Sequence, residues 1–295
     1  MKVSGLIAEA LRSIGIGEEP IECVSLSGGC IHDVRHVSFA TGRSLVCKTT
    51  MEPAGAEQLE AESQGLQALH DLEQQPLKIP AVLGFFRSTD RAVLILEWLE
   101  PGSPTDRMWS QFGTDLATMH DLVSDRRYGF AASNFIGATR QINDWSDDWV
   151  SFNQECRFEP QIKWARDAGL LQAEEVARIS MVTRSLDRHL PADPHPSLLH
   201  GDLWSGNLIP LADGPIGVID PACSIGDGWA DIAMMRLFGG IPSICFDAYA
   251  EARTSDDPPS SDRLLVYQMY HLLNHVNLFG RGYVGQVMQI AESLA

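Results

Sequence analysis

The residues of this chain that could do chemistry are concentrated between Leu198 and Asp220, in the run LLHGDLWSGNLIPLADGPIGVID. It reads as an apolar approach, a polar loop carrying His200, Asp202 and Asn207, and a short β-hairpin that ends at Asp220. Asp202 and Asn207 are five residues apart, and Asp220 follows thirteen residues later. Phosphoryl transfer asks for such a set. One carboxylate must orient and deprotonate the attacking hydroxyl, and oxygen ligands must hold magnesium against a triphosphate. Asp202 suits the first task; Asn207 and Asp220 suit the second. Gly201 and Gly206 give the loop access to positive φ, and Gly206 allows a tight turn before Asn207. Pro221 predicts an extended Asp220 at the exit of the short apolar strand. An Asp and an Asn five apart are common in surface loops. The accompanying His, two glycines, Trp204 and the apolar-flanked Asp-Pro are what favour the chemical reading.

Such a loop needs a partner that grips the phosphates. The chain has four lysines, and only Lys48 sits within an apolar strand, Ser44 to Thr50, flanked by Leu45, Val46 and Cys47. A helix follows from about Ala56 to Leu72, with Leu59, Leu66, Leu69 and Leu72 on one face. Glu62 lies on that face, and a buried carboxylate needs a partner. Lys48 is the natural one, giving a phosphate-positioning pair. Ahead of them, residues 3 to 15 have helical periodicity, and residues 21 to 27 and 34 to 39 read as strands around Gly28-Gly29-Cys30. Strand, glycine loop, strand is the layout of a nucleotide lid, with Gly28 and Gly29 approaching the phosphates. The strand Ala92 to Trp98, preceded by another at 80 to 86, leads to Glu97, Trp98 and Leu99; in kinase-like folds such a strand runs into a hinge whose backbone reads the adenine edge, and residue types alone equally allow a plain buried strand. No GxxxxGK[ST] occurs, which excludes a P-loop site.

After a helix at 106 to 123, a polar and aromatic stretch runs to Arg157. Aromatics with amides and an Arg suit a polyol, because amides fix hydroxyls and rings stack on sugar faces; Trp149 and Phe152 read as core, and the roles of Asn134, Gln141 and Asn143 stay open between sugar contact and packing. Further helices are expected at 171 to 190 and 263 to 293. Asp231 is a candidate helix cap or loop support.

The run from His200 to Asn207, His-Gly-Asp-Leu-Trp-Ser-Gly-Asn, resembles the catalytic loop of the fructosamine kinase (ketosamine 3-kinase) family. That family shares the protein-kinase-like fold of aminoglycoside and choline kinases. Ile219-Asp220-Pro221-Ala222 resembles its metal-binding segment. Gly129-Phe130, Asn134 to Gly137, Gln141-x-Asn143, Trp145, Trp149 and Arg157 are similar to its middle region. The chain departs from the pattern at Ile225-Gly226-Asp227-Gly228, where the family often shows an aromatic, Gly and His, and this bears on local substrate preference.

The resemblance implies an α+β, bilobal protein-kinase-like fold. A small lobe, residues 1–98, carries an antiparallel sheet plus a helix, and a larger, mainly helical lobe holds residues 99–295. It implies a kinase using ATP and Mg²⁺ to phosphorylate ketosamines, such as a glycated lysine, on the 3-hydroxyl. The product is unstable and releases the amine, which amounts to repair. Asp202 is then the base, Asn207 and Asp220 the metal ligands, Lys48 and Glu62 the phosphate-positioning pair. Asn134, Gln141, Asn143 and Trp204 are the substrate candidates, and His200 and Asp231 steady the loop. An aminoglycoside- or choline-type phosphotransferase is the alternative. Some family members carry a cysteine in the glycine loop that links two chains, and Cys30 matches it, leaving open a monomer or a redox-linked dimer.

Composition sets outer bounds. The chain has 295 residues, 44% hydrophobic and 21% charged, enough for a sizeable core. A net charge of −17 argues against nucleic acid and anionic membrane surfaces. No signal-peptide layout and no run of eighteen apolar residues is seen, so a cytoplasmic enzyme without membrane spans is expected. Six cysteines without CxxC pairs fit a reducing compartment and no zinc site.

Overall fold

The computed structural model describes residues 3–26, 32–72, 74–122, 127–255 and 258–295. They form two compact units. One holds Met1–Pro104 together with Leu208–Pro221; the other holds Thr105–Asn207 and Ala222–Ala295.

The first unit is built on a five-stranded antiparallel sheet. Its strands are β1 (Glu22–Ser25), β2 (Asp33–Ser38), β3 (Ser44–Thr50), β4 (Val82–Ser88) and β5 (Arg91–Glu97), in the order β1-β2-β3-β5-β4. Helix α1 (Val3–Ser13) brings Leu6, Ile7, Ala10 and Leu11 against Val37, Leu45, Cys47, Val93 and Ile95. Side chains alternate along a strand. With Cys47 committed to that core, Lys48 is directed to the opposite face. Helix α2 (Pro53–His70) starts with proline in its first turn and buries Leu59, Leu66 and Leu69.

The expected boundary at residue 98 and this unit differ in two places. Residues 99–104 and 208–221 belong with the sheet unit because their backbones pair within it. Gly102 N–H donates to the Pro210 carbonyl (2.7 Å), Ala212 N–H to Glu100 (3.1 Å) and Val218 N–H to Lys78 (3.0 Å). Short strands Leu208–Pro210 and Ile216–Val218 form the hairpin expected before Asp220.

The second unit is mainly helical. It comprises α3 (Asp106–Asp121), α4 (Trp149–Phe152), α5 (Glu159–Asp167), α6 (Ala173–Thr183), α7 (Trp229–Leu237), α8 (Ser243–Ala252), α9 (Ser261–Phe279) and α10 (Val284–Ser293). Thr105 caps α3 by accepting from Met108 N–H (3.3 Å), and Ser260 caps α9 by accepting from Arg263 N–H (3.2 Å). Helices α4 and α5 are joined by a π-helical turn, Asn153–Phe158, which carries Arg157. Gly113 lets α3 and α8 approach closely: a Cβ there would lie 2.1 Å from the Cys245 carbonyl oxygen. Strands Pro196–Leu199 and Ser224–Asp227 pair antiparallel and bracket the loop that contains Asp202. No helix among the described residues is long and apolar enough to cross a membrane.

Candidate active site

In the first unit, Lys48 is buried between two carboxylates. Its Nζ lies 2.6 Å from Glu62 Oε1 and also contacts Asp220 Oδ1. Sequence reasoning paired Lys48 with Glu62, and the structure brings them together. Burial works against the Lys48 ammonium, but Asp220 and Glu62 outweigh it and hold its pKa above the ordinary lysine value. One cation cannot fully compensate two carboxylates. The remainder falls on Glu62, whose pKa burial raises to about 7 against the pull of Lys48.

Asp220 is not extended. Its φ is 59°, in the left-handed region that non-glycine residues seldom enter. The contact with Lys48 overrides the local preference that Pro221 sets for its predecessor. His32, just before β2, was passed over by sequence reasoning. It feels both Lys48 and Asp220, and its pKa is lowered to about 4, chiefly by burial and then by Lys48. The sequence carried no direct signal for it: His32 stands just ahead of β2, whose Val34 pairs with Lys48 only in the folded sheet.

At the other end of the sheet, Glu97 accepts from Lys78 Nζ (2.7 Å) and from Ala81 N–H (3.1 Å). Trp98 donates to Glu100 (2.7 Å), and its ring lies 4.2 Å from that of His36, centroid to centroid. Leu99 is buried against Gly217, where a Cβ would stand 2.6 Å from Leu99 Cδ1. Gly28, Gly29 and Cys30 lie outside the described residues.

In the second unit, the loop is held from beneath by Asp231 of α7. Its carboxylate accepts from His200 N–H and Gly201 N–H, both at 2.8 Å, and meets His120 Nε2 at 3.3 Å. Burial alone would raise the Asp231 pKa; the bond from His120 and the other donors outweigh it and hold it below the usual carboxylate range. Gly201 has a φ of 83°, and a Cβ there would lie 2.1 Å from the Ala222 carbonyl oxygen. Gly206 serves differently. It is not among the residues with positive φ, and its missing Cβ makes room for the Trp204 ring, whose Cη2 would lie 2.3 Å away.

Asn207 Nδ2 donates to the Asp202 carbonyl (2.8 Å) and approaches the Asp202 carboxylate (3.3 Å). That orientation commits the amide nitrogen to Asp202. Asp220 binds Lys48 through Oδ1, and its side chain remains 42% exposed. A carboxylate oxygen and an amide oxygen are each hard donors of the kind magnesium takes; Asp220 supplies one in the first unit and Asn207 the other in the second.

Asn134, Gln141 and Asn143, read from the sequence as amides for sugar hydroxyls, are instead buried and bonded to the protein itself. Asn134 Nδ2 donates to the Cys223 carbonyl (2.7 Å), and Gln141 Nε2 to the Ala222 carbonyl (2.9 Å) and to Asn134 Oδ1 (2.9 Å). Asn143 Nδ2 donates to Asn134 Oδ1 (2.9 Å), and Arg157 donates to Asn143 Oδ1 (2.9 Å). Tyr270 closes the set on Gln141 Oε1 (2.9 Å). The network fixes the backbone at 222–223, immediately after the Asp220-Pro221 step. Burial of an amide demands such satisfaction, and residue type alone did not say whether a sugar or the chain would supply it.

The departure at Asp227 is also internal. Its buried carboxylate accepts from Arg263 Nε (2.7 Å), Trp229 N–H (3.0 Å) and the Tyr267 hydroxyl. Tyr267 in turn accepts from Trp149 Nε1 (2.9 Å).

With that geometry described, comparison with known proteins is informative. A family model for fructosamine kinase matches residues 7–295. A protein-ribulosamine 3-kinase of rice, Oryza sativa subsp. indica, is 33% identical over 91% of this chain and 77% of its own. A ribulosamine 3-kinase of Arabidopsis thaliana is 32% identical over 97% and 86%. The crystal structure of a protein described as a fructosamine-3-kinase, from Thermobifida fusca, superposes with a TM-score of 0.83 at 29% identity, covering 99% of this chain and 98% of that one. An aminoglycoside phosphotransferase solved with AMP-PNP and hygromycin B gives a TM-score of 0.67 at 14% identity over 100% and 98% of the two chains, a likeness of fold alone. The architecture is thus the bilobal α+β one of protein-kinase-like enzymes, and the match along nearly the whole length makes this chain a member of the fructosamine kinase family.

Proposed function

We propose that this chain transfers the terminal phosphoryl group of ATP to a sugar hydroxyl of a ketosamine, at the 3-position, in the repair of glycated amines. Family membership supports the reaction class, and the rice and Arabidopsis relatives, by name, act on protein-ribulosamines at that position. The observation that carries the assignment of roles is the ion cluster of Lys48, Glu62 and Asp220, together with the separate Asp202–Asn207 pair. Lys48, kept charged by its two carboxylates, neutralises phosphate oxygens, and Glu62 fixes its position. Asp202 accepts the proton of the attacking hydroxyl. Its backbone is held by the pinned His200–Gly201 amides and by Asn207, so little reorganisation is needed. Trp204, exposed two residues on, offers a ring face to the sugar. Asn207 and Asp220 would hold magnesium, which would supply charge neutralisation to the phosphoryl group being transferred. Glu97, Trp98 and Leu99 take the adenine end. The free thiols of Cys47, Cys223 and Cys245, raised by burial, suit a reducing cytoplasm.

The test is ATP consumption against fructosyl-, ribulosyl- and erythrulosyl-lysine beside a set of aminoglycosides. Turnover of the ketosamines is expected; turnover of aminoglycosides alone would overturn the reading. Asp202→Asn should lower kcat by about 10²–10⁴-fold with AMP-PNP binding retained. A variant of near-full activity would remove Asp202 as the base.

A further inference from the structure

Arg157 is a buried cation whose hydrogen-bond partners are all neutral. It stands on the π-helical turn Asn153–Phe158 and is 6% exposed. Its Nη1 donates to the carbonyls of Ile142 and Cys156, and its Nη2 to Asn143 Oδ1. The guanidinium carbon lies 4.5 Å from the ring centroid of Phe152 and 5.7 Å from that of Tyr270. Burial is the first cause of its lowered pKa, and no carboxylate is among the groups that counter it. A guanidinium has five N–H groups, so three bonds leave two to be satisfied. A buried charge is ordinarily paired.

Arg157 lines a cavity in the second unit, with Tyr270, His271, Ser224, Gly201 and Asp231 also in its wall. Its empty space, part of it open to solvent, is about 430 Å³. His271 of α9 is 4% exposed, and its Nδ1 is buried with no hydrogen-bond partner among the described residues. An orphaned buried nitrogen facing such a space points to something bound there. Asp231 does not supply the missing negative charge. One of its oxygens accepts from Gly201 N–H, and the other accepts from His200 N–H and faces His120.

We propose that this cavity is a chloride site, in which the Arg157 guanidinium and the Nδ1–H of a neutral His271 hold one anion. Three observations choose the ligand. One cation faces the space, so a monoanion balances it and a sulfate or phosphate dianion does not. The donors come from two separate elements, the π-helical turn and α9, and a spherical ion has no orientation for them to match. Water would satisfy the N–H groups but leave the guanidinium charge uncompensated. The ion would also brace the site's framework. Arg157 holds Asn143, Asn143 donates to Asn134, and Asn134 to the Cys223 carbonyl, so a fixed Arg157 fixes the backbone at 222–223. The inference does not depend on which hydroxyl compound the chain phosphorylates.

Two measurements on the full chain near neutral pH test it. In crystals grown with chloride, data taken at long wavelength separate chlorine, which scatters anomalously, from water, which does not. An anomalous peak is expected inside the cavity, within hydrogen-bonding distance of the Arg157 guanidinium and His271 Nδ1. In thermal melts, replacing gluconate by about 300 mM chloride at constant ionic strength should raise the midpoint by about 3–4 °C, as for a dissociation constant of about 10 mM. His271→Leu removes the nitrogen and Arg157→Met removes the charge; each should abolish that shift. Should Arg157→Met fail to fold, His271→Leu and the crystallographic peak decide. A cavity without an anomalous peak holds water only and overturns the site. Equal midpoints in chloride and gluconate overturn it too. So does a chloride shift of full size in His271→Leu, which would place the ion elsewhere.

Discussion

Trp204 and Gly206 show how a glycine in a catalytic loop can act through space rather than through backbone freedom. Gly206 does not use the left-handed region; what it supplies is the absence of a Cβ under an indole. Gly206→Ala must therefore push the Trp204 ring outward. The ring is partly exposed and can move, so the expected stability loss is under about 1 kcal/mol. On the role proposed for Trp204, the KM for the ketosamine should rise by roughly three- to tenfold, because a displaced ring would no longer meet the sugar. Steady-state kinetics alongside a urea titration separate the two effects. Asp220 is the opposite case. A non-glycine residue is held at a φ of 59° by its ion pair with Lys48, a local cost that tertiary contacts sustain.

Two buried carboxylates tie elements together around the loop, Asp231 from α7 and Asp227 from the strand ahead of it. Asp231, in the first turn of α7, satisfies two loop amides. Asp227, just ahead of α7, ties its strand to Arg263 and Tyr267 of α9. Because Asp227 is wholly enclosed, its departure from the family pattern concerns packing and not sugar contact. Asp227→Asn should cost about 3 kcal/mol, as expected when one partner of a buried ion pair loses its charge. The KM for the ketosamine should change by less than about twofold, within what a packing change alone transmits. A urea midpoint measured with that KM checks the prediction; a KM shift without destabilisation would mean that Asp227 touches substrate. Asn134, Gln141 and Asn143 likewise brace the backbone at 222–223 through short strands and the π-helical turn.

For the whole molecule, buried histidines set the acid limit. His271 is fully enclosed, and burial, His275 and Arg157 lower its pKa to about 3. His120 is lowered as well, chiefly by burial. The unfolded chain protonates such groups near pH 6.5, while the folded chain resists. Their contribution is therefore complete above about pH 6.5 and is lost as pH falls towards 3, at up to about 1.4 kcal/mol per pH unit per histidine. Glu62 acts in the other sense. Its raised pKa means that stability is gained as pH falls from about 7 towards 4.5. Urea midpoints across pH 7.5 to 5 should thus decline with acid. His271→Gln should flatten the decline and Glu62→Gln should steepen it.

The amino-acid sequence proposed the chemistry where residue type and spacing carry it. The Asp202, Asn207 and Asp220 spacing, the lone strand lysine and the inward glutamate suit phosphoryl transfer, and the resemblance of the catalytic loop to one family supplied the reaction class. The periodicity of α2 and α3 and the alternation of β3 were legible for the same reason: each pattern repeats locally. Tertiary structure decided what depends on which group fills a partner's place. It turned the middle amides from sugar contacts into backbone supports and gave Asp227 an arginine. It moved residues 208–221 into the sheet unit, put Asp220 in the left-handed region, and brought Arg157 and His271 to one cavity. A hydrogen-bonding group or an apolar ring states only that it needs a partner; which partner it finds is settled by distances between segments far apart along the chain.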